Sequence, residues 1–310
     1  LEAMTGEGQP GSLSLHEGNL LQEGSYDAAF LGCAAVIHSG TAMPYGAAND
    51  PRQVYDGAVE GTANVLGSVR RGGSVRRFVY TSSFAAIAHP APPGTCFSES
   101  DWASDHQDPE VWSPERIDED GNVAYAMAKV DAERLVNRVA AEDGRFDSIS
   151  VCPTVVLGPL LSPVHDLVFS WQWFLGRMLR GKPCQRRWEG LWNVVDVRDV
   201  GATHALILAS EVCQNASRYQ LSATDRSGEL DVYALQAHLQ KAFPEIEVGG
   251  APEEMAAYLE KHGQIWDGPR GYCTRAREEL GLETHAIFDT LRSTGQSMIE
   301  LGVVEPALRS

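Results

Sequence analysis

The sequence predicts an α/β protein in which a doubly wound parallel sheet is accompanied by a smaller, mostly helical C-terminal region. Short apolar runs alternate with helical patterns at the spacing of βαβ units. The runs at 34–38, 77–81 and 148–152 have the length and composition of strands buried in a parallel sheet. After residue 231 the apolar spacing is mainly helical. These observations together favour helices on both faces of a parallel sheet.

The other predicted elements follow from the same spacing. Helices are predicted at 24–31, 56–71 and 122–143, and the last two end at Gly72-Gly73 and Gly144. A short strand is predicted at 13–17 and a long irregular connection at 88–121. Later predicted elements are a helix at 169–180, a strand at 193–197, a helix at 198–210, a strand at 219–222, and helices at 232–243, 252–262, 276–280 and 287–301.

The composition of the chain argues against several kinds of partner and site. The chain has 310 residues, 43% of them apolar, and a net charge of -17. This acidic balance argues against nucleic acid or an anionic membrane as partner, and no apolar run is long enough for a transmembrane helix. The first residues lack the basic flank and apolar core of a signal peptide. The six cysteines form no Cys-x-x-Cys pair, so free thiols in the cytoplasm are expected and no metal site is predicted.

The predicted helix at 122–143 carries the main candidate for chemistry. Tyr125 and Lys129 are four residues apart, so their side chains lie on one helix face. A phenol ordinarily has a pKa of about 10, and a nearby ammonium lowers it. A tyrosine tuned in this way can exchange a proton near neutral pH, as carbonyl reduction or alcohol oxidation requires.

A glycine pattern near the start of the chain is not interpreted as a phosphate loop. Residues 6–11 match Gly-x-Gly-x-x-Gly. Such a loop must follow a strand and open a helix, so that the helix N-terminus faces the pyrophosphate. No strand is predicted before these residues, and the predicted strand at 13–17 follows them.

Seven further segments occur in a characteristic order around the Tyr-x-x-x-Lys pair. They are residues 19–20, 37–41, 60–66, 77–83, 97–102, 153–159 and 195–200. Together they resemble the extended short-chain dehydrogenase/reductases, and within these the dihydroflavonol reductase and cinnamoyl-CoA reductase branch. The resemblance implies a Rossmann-like fold and runs from about residue 13 to the C-terminus.

The resemblance also implies roles for three side chains. Tyr125 is expected to donate a proton to the substrate oxygen during reduction. Lys129 is expected to lower the pKa of Tyr125 and to hydrogen-bond the nicotinamide ribose. Ser83 is expected to hold the substrate carbonyl oxygen, where a fixed donor stabilises developing charge.

Cofactor contacts are implied in the same way. Pro153, Thr154, Val155 and Val156 are expected to pass under the nicotinamide ring. Ser39, Gly40 and Thr41 are expected to line the adenosine and phosphate side, with Thr81 nearby. Asn19 and Leu20 occupy the place where the family usually carries Asp-Leu beside the adenine. The expected cofactor is NADP, with NAD as the alternative.

Some features depart from the family pattern. The family opens with a strand, a Gly-x-x-Gly-x-x-Gly loop and a helix, and the residues before 13 do not match that segment. The chain is therefore expected to be an N-terminally truncated fragment, with a degenerate member as the alternative. Ala88 stands where flavonoid reductases carry an asparagine, and residues 123–129 lack the longer cinnamoyl-CoA reductase signature. Neither specific substrate is therefore supported.

The sequence predicts an NADP(H)-dependent oxidoreductase that reduces an aldehyde, ketone or thioester of a small molecule. The alternatives are a sugar-nucleotide epimerase/dehydratase or hydroxysteroid dehydrogenase of the same superfamily, or a non-catalytic binding protein with this fold. The dinucleotide-binding core is predicted at 1–160 with 191–212, and the substrate region at 161–190 and 213–310. The protein is expected to be a monomer or a homodimer.

Two further interpretations concern structure rather than catalysis. His38 ends a predicted buried strand and is interpreted as a structural histidine. Asp196, Arg198 and Asp199 are interpreted as an ion-paired cap at the start of a helix, because aspartate favours helix N-termini.

Overall fold

The main sheet contains four parallel strands in the order β1-β2-β3-β6. A computed structural model describes residues 11–41, 50–88, 91–92, 94–105, 108, 110, 112–165, 170–184, 192–223, 226–251 and 270–309. The strands are β1 (Ala35–His38), β2 (Arg77–Thr81), β3 (Asp147–Pro153) and β6 (Ser217–Leu221). The apolar residues of β2, β3 and β6 are almost fully buried, as expected of strands covered on both faces, whereas Ile37 of the outer strand β1 is exposed.

Helices cover both faces of this sheet. On one face lie α1 (Asp27–Phe30), α2 (Pro51–Gly72) and α4 (Gly121–Asp143), with Phe78 and Tyr80 of β2 in the shared core. On the other face lie α6 (Val197–Ala209) and α8 (Thr274–Leu280), which pack on Ile149 and Val151 of β3. A short helix, α3 (Arg116–Glu119), precedes α4 within the long connection. The predicted doubly wound α/β fold is confirmed.

The two long helices end where the sequence predicts. Gly73 and Gly144 follow α2 and α4 with φ angles of 69° and 67°, in the left-handed region that glycine adopts most readily. α2 begins five residues earlier than predicted, because Asp50 accepts a hydrogen bond from the backbone N–H of Arg52 and Pro51 occupies the first helical position.

A second, smaller sheet was not predicted from the sequence. β4 (Val155–Leu157) pairs in parallel with β5 (Trp192–Asp196), and β5 pairs antiparallel with β7 (Glu229–Leu230). The helices α5 (Trp171–Leu179), α7 (Val232–Ala242) and α9 (Ile287–Glu300) share one hydrophobic core with it. β4 and β7 have only three and two residues, too few for a periodic pattern.

One predicted strand is wrong. Residues 12–19 form no strand, and the side chains of Leu13 and Leu15 are exposed. A strand is held by hydrogen bonds to a neighbour, and among the described residues β1 pairs only with β2. The alternating pattern at 13–17 therefore misled the prediction.

The proposed division into two regions stays a prediction. β6 belongs to the main sheet, although it lies within the range assigned to the substrate region. The predicted helix at 252–262 lies outside the described residues. No helix in the described part of the chain is both long and apolar enough to cross a bilayer.

Candidate active site

The candidate site lies at the edge of the main sheet where β1, β2 and β3 end. The strand register places His38 beside Tyr80, and Tyr80 beside Ser150. Residues that follow these parallel strands therefore meet at one edge, where open α/β sheets bind their ligands. The helix α4 packs beside this edge and brings Tyr125 and Lys129 to it.

Local interactions fix the start of α4 just before the candidate residues. The Asp120 Oδ1 atom accepts hydrogen bonds from the backbone N–H groups of Asn122, at 2.8 Å, and Val123, at 3.3 Å. This N-cap satisfies donors that a helix leaves unpaired. The position of Tyr125, one turn further on, is thereby set by the capped end of a 23-residue helix.

Lys129 is buried, with 2% of its surface exposed. Its ammonium group donates a hydrogen bond to the main-chain carbonyl of Thr81 across 3.0 Å, which joins α4 to the end of β2. Burial lowers the pKa of Lys129 to about 8, and the neighbouring Cys152 and Glu133 side chains oppose this shift. Lys129 is therefore a cation that can lose its proton at mildly basic pH.

Tyr125 lies on the same face of α4 and is half-buried. Its ring centroid is 5.7 Å from the Lys129 ammonium nitrogen. A cation at this distance favours negative charge on a phenol, so the pair suits proton transfer to a substrate oxygen. The predicted juxtaposition of the two side chains is present, and the proton-donor role stays a prediction.

Ser83 follows β2 and begins a single 3₁₀ turn at Phe84–Ala86 that packs against α4. Its Oγ accepts a hydrogen bond from the backbone N–H of Ala85 at 3.1 Å. A serine hydroxyl can accept and donate at once, so Ser83 can still donate a hydrogen bond, and its contact with a substrate oxygen stays a prediction. The structure thus places Ser83 beside the helix that carries Tyr125.

Two predicted cofactor residues are linked to a histidine that sequence reasoning missed. The Thr81 hydroxyl lies 3.0 Å from the Ser39 hydroxyl and 2.8 Å from His204 Nε2. The Nδ1 atom of His204 is 2.7 Å from the carbonyl oxygen of Val200, one turn earlier in α6. Burial lowers the pKa of His204. His204 stands in an ordinary amphipathic helix pattern, which gave no signal of this contact.

Asn19 and Leu20 lie in a turn that packs on α2. The Asn19 side-chain oxygen accepts a hydrogen bond from the backbone N–H of Leu21, and Asn64 donates to the Leu20 carbonyl. A Cβ on Gly40 would come within 3.3 Å of the Leu20 side chain. Leu20 therefore lies against Gly40, which is consistent with both flanking one ligand, and the cofactor contact stays a prediction.

The segment 153–156 is anchored at the far side of the site. The Thr154 backbone N–H and hydroxyl both donate to the carbonyl of Leu221, at 2.9 and 3.0 Å. The Val156 carbonyl accepts a hydrogen bond from the Gln172 side chain at 3.1 Å. These bonds fix the path of the backbone from β3 into β4, and its contact with a nicotinamide stays a prediction.

The structure supports the interpretation of His38 as a structural residue. Its Nε2 atom lies 3.1 Å from the Thr62 hydroxyl, and its ring packs against Phe78 and Tyr80. Burial, with a smaller contribution from the charge of Lys129, lowers the pKa of His38 to about 4. His38 is therefore neutral at physiological pH.

The ion-paired cap at the start of α6 is confirmed. Asp196 accepts a hydrogen bond from the backbone N–H of Arg198 and pairs with its guanidinium at 2.7 Å. Asp199 accepts hydrogen bonds from the backbone N–H and the ring of His285. Across the described ranges, no three potential metal ligands come together.

Sequence reasoning also missed a buried ion pair beneath the site. Glu133 follows Lys129 by one turn of α4, and Arg218 lies on β6. The Arg218 Nε atom donates to Glu133 Oε1 across 2.6 Å. The spacing of Glu133 from Lys129 was a usable signal, whereas the pairing with Arg218 joins residues 85 positions apart.

The fold and this site are those of an α/β protein with a Rossmann-like fold. The family model described as "NAD dependent epimerase/dehydratase family" matches residues 3–220, which is well over half of the chain. The chain belongs to this family, and the resemblance found in the sequence is confirmed.

Curated relatives include plant reductases. The chain is 27% identical over 304 residues to tetraketide alpha-pyrone reductase 1 of Arabidopsis thaliana, a match that covers 97% of this chain and 84% of the relative. It is 31% identical over 219 residues to a cinnamoyl-CoA reductase of Medicago truncatula, covering 69% of this chain and 61% of that protein. For a dihydroflavonol 4-reductase of Hordeum vulgare the identity is 29%, and 40% of the relative is covered.

Similar solved structures support the same fold. Yeast methylglyoxal/isovaleraldehyde reductase, complexed with NADPH, superposes with a TM-score of 0.73 at 18% identity over 92% of this chain and 83% of that one. Vestitone reductase of alfalfa gives a TM-score of 0.69 at 21% identity, over 93% of this chain and 83% of that one.

Proposed function

We propose that this chain is an NADP(H)-dependent oxidoreductase that reduces the carbonyl group of a small organic molecule, with Tyr125 as proton donor. The observation that carries the proposal is the buried Lys129 ammonium beside the Tyr125 ring, at the sheet edge where Ser83 follows β2. The relatives named above are reductases, which supports an oxidoreductase, and NADPH in a similar structure supports this cofactor.

The described residues fit the nicotinamide and ribose half of such a cofactor. Lys129 and Tyr125 offer an ammonium and a hydroxyl at the carboxyl edge of the sheet. On the adenosine and phosphate side, Gly40 is exposed beyond β1. When bound, reduced nicotinamide supplies the hydride that adds to the carbonyl carbon.

The protein's own residues stabilise the charge that develops on the carbonyl oxygen and supply its proton. As the carbonyl oxygen gains an electron pair, the Ser83 hydroxyl donates a hydrogen bond to it. The Tyr125 hydroxyl then gives its proton to that oxygen, which completes the alcohol. The tyrosinate left behind is stabilised by the Lys129 cation beside its ring.

The family name leaves epimerases and dehydratases as a second candidate function. Those reactions return the hydride to the substrate and consume no net cofactor, whereas a reductase oxidises NADPH with each turnover. Loss of NADPH absorbance during turnover therefore separates the two. We also propose that the substrate is a small organic molecule and that the protein is a cytoplasmic monomer or homodimer.

The proposal is tested by titrating this 310-residue chain with NADPH while the fluorescence of the NADPH is followed. Small aldehydes, ketones and acyl thioesters are then screened as substrates. Saturable binding and substrate-dependent NADPH oxidation are expected. A folded chain that binds NADPH without oxidising it contradicts the catalytic proposal and favours the non-catalytic alternative. A folded chain that binds no NADPH contradicts the proposal for this chain altogether.

A further inference from the structure

A buried ion pair lies one helical turn below the Tyr125–Lys129 pair. Glu133 and Arg218 have side chains that are 0% and 6% exposed, and their closest atoms are 2.6 Å apart. A buried pair of this kind costs several kcal/mol of desolvation per ion, and an apolar pair of similar volume often gives equal stability. Stability alone is therefore a weak reason for these residue types at this place.

Glu133 connects α4 to the segment that carries Ser83. The Ser82 hydroxyl donates to Glu133 Oε2 across 2.6 Å. Ser82 is adjacent to Ser83, and the carbonyl of Thr81 on its other side receives the bond from Lys129. Lys129 and Glu133 of α4 thus hold Thr81 and Ser82, the two residues that precede Ser83.

Arg218 pairs with Glu133 and also binds main-chain carbonyls below the site. Its Nη1 atom donates to the main-chain carbonyls of Glu99 and Asp101, at 2.9 and 2.6 Å. Its guanidinium lies 3.9 Å from the centroid of the Trp102 ring. These contacts, together with the bond from Ser82, hold the buried Glu133 carboxylate in place.

Four elements place titratable groups near Lys129, among them the Tyr125 phenol of α4 itself. Tyr80 of β2 places its ring 5.3 Å from the ammonium nitrogen, and Cys152 of β3, His38 of β1 and Glu133 of α4 also act on it. Burial raises the pKa of the Tyr80 phenol and the Cys152 thiol, and lowers that of His38, so all three are neutral near pH 7. Among these described neighbours, Glu133 is the one held as a carboxylate by an arginine, so its negative charge opposes the loss of the Lys129 proton.

We propose that Glu133, anchored by Arg218, is a positioning residue of the active site that sustains the charge of Lys129 and orients the Ser82–Ser83 segment. The inference rests on the proposed function, because it assigns Glu133 a part in that reaction. The effect of Glu133 on the charge of Lys129 can be tested without measuring turnover.

The test is a ¹³C NMR titration of the chain labelled at the lysine Cε position. The sequence contains four lysines, Lys129, Lys182, Lys241 and Lys261, so only four signals are expected. The Lys129 signal is assigned by its loss in Lys129→Met. In the wild type its titration midpoint is expected near pH 8. In Glu133→Gln the midpoint is expected to fall by about one pH unit, since an attractive negative charge is lost.

Two matched variants separate charge from general damage. Glu133→Asp keeps the carboxylate, so its Lys129 midpoint should stay within a few tenths of the wild-type value. Asp196→Asn removes a buried carboxylate that pairs with Arg198 elsewhere, and it should leave the midpoint unchanged. A Glu133→Gln midpoint equal to that of the wild type overturns the proposal, as does an equal fall in Asp196→Asn.

Folding and turnover are followed in the same samples. If Glu133→Gln does not fold, Arg218→Gln replaces it; the uncompensated Glu133 charge should then raise the Lys129 midpoint, and a fall or no change overturns the proposal. Where the wild type turns over NADPH, Glu133→Asp should lower kcat about tenfold with little change in the KM for NADPH, because Ser82 loses its partner. If the wild type does not turn over, the proposed function fails while the midpoints still decide this inference.

Discussion

The ammonium group of Lys129 donates a hydrogen bond to the main-chain carbonyl of Thr81 across 3.0 Å, inside the protein. This bond joins the centre of α4 to the end of β2, where the chain turns towards Ser83. The residue proposed to stabilise charge on Tyr125 is therefore also part of the contact between helix and sheet. Substitutions of Lys129 should affect both the reaction and the stability of the fold.

The first prediction concerns stability at basic pH. The pKa of Lys129 falls from its ordinary 10.5 to about 8 on folding because of burial. Between these two values the unfolded chain binds more protons than the folded chain, so stability should rise with pH. The rise due to Lys129 is about 3 kcal/mol from pH 8 to 10.5. Urea unfolding of the wild type and Lys129→Met at several pH values measures it, and parallel curves for the two proteins would contradict it.

A second pH dependence is expected on the acidic side. Burial lowers the pKa of His38 from 6.5 to about 4 in the folded chain. The stability contribution is complete above pH 6.5 and is lost as the pH falls towards 4, by about 3 kcal/mol. His38→Gln should flatten this part of the stability curve, whereas His165→Gln, at an exposed position, should not. Equal curves for both variants would refute the assignment.

The third prediction concerns Ser83. Ser83→Ala removes the hydroxyl expected to hold the substrate oxygen, and kcat should fall by about 10²-fold, as when an oxyanion donor is lost. The same change removes the cap on Ala85, which should cost about 1 kcal/mol of stability. Ser100→Ala, at an exposed serine, serves as the control. Full activity in a folded Ser83→Ala variant would exclude this role.

The fourth prediction concerns the capped start of α4. Asp120→Ala removes the acceptor for the N–H groups of Asn122 and Val123 and should destabilise the chain by about 1 kcal/mol. The cap lies outside the reacting groups, so turnover per folded molecule should change little. Thermal unfolding together with active-site titration tests this, and a hundredfold loss of kcat in the folded variant would mean that the cap has a more direct part in the reaction.

The sequence predicted the family, the parallel sheet and the Tyr125–Lys129 pair because each leaves a local pattern. A strand is a short apolar run, Gly73 and Gly144 mark helix ends, and the pair is an i, i+4 spacing. The family assignment needed more, since it rested on seven segments in order, and it is confirmed by the match over residues 3–220.

The failures involve interactions that a local pattern does not contain. The run at 13–17 alternates as a strand does, yet a strand exists only where a neighbour pairs with it. The Glu133–Arg218 pair and the Thr81–His204 contact join residues 85 and 123 positions apart, so their partners could not be read from spacing. The expectation that the chain is a fragment lacking the glycine loop stays a prediction.

The most direct test of the catalytic proposal is Tyr125→Phe, measured both for NADPH binding and for NADPH-dependent carbonyl reduction. The change removes only the phenolic oxygen, so NADPH should bind within a few-fold of the wild type while kcat falls by about 10²- to 10⁴-fold. Tyr233→Phe, at an exposed tyrosine of α7, should behave as the wild type. Retained turnover in Tyr125→Phe would contradict the assignment of Tyr125 as the proton donor.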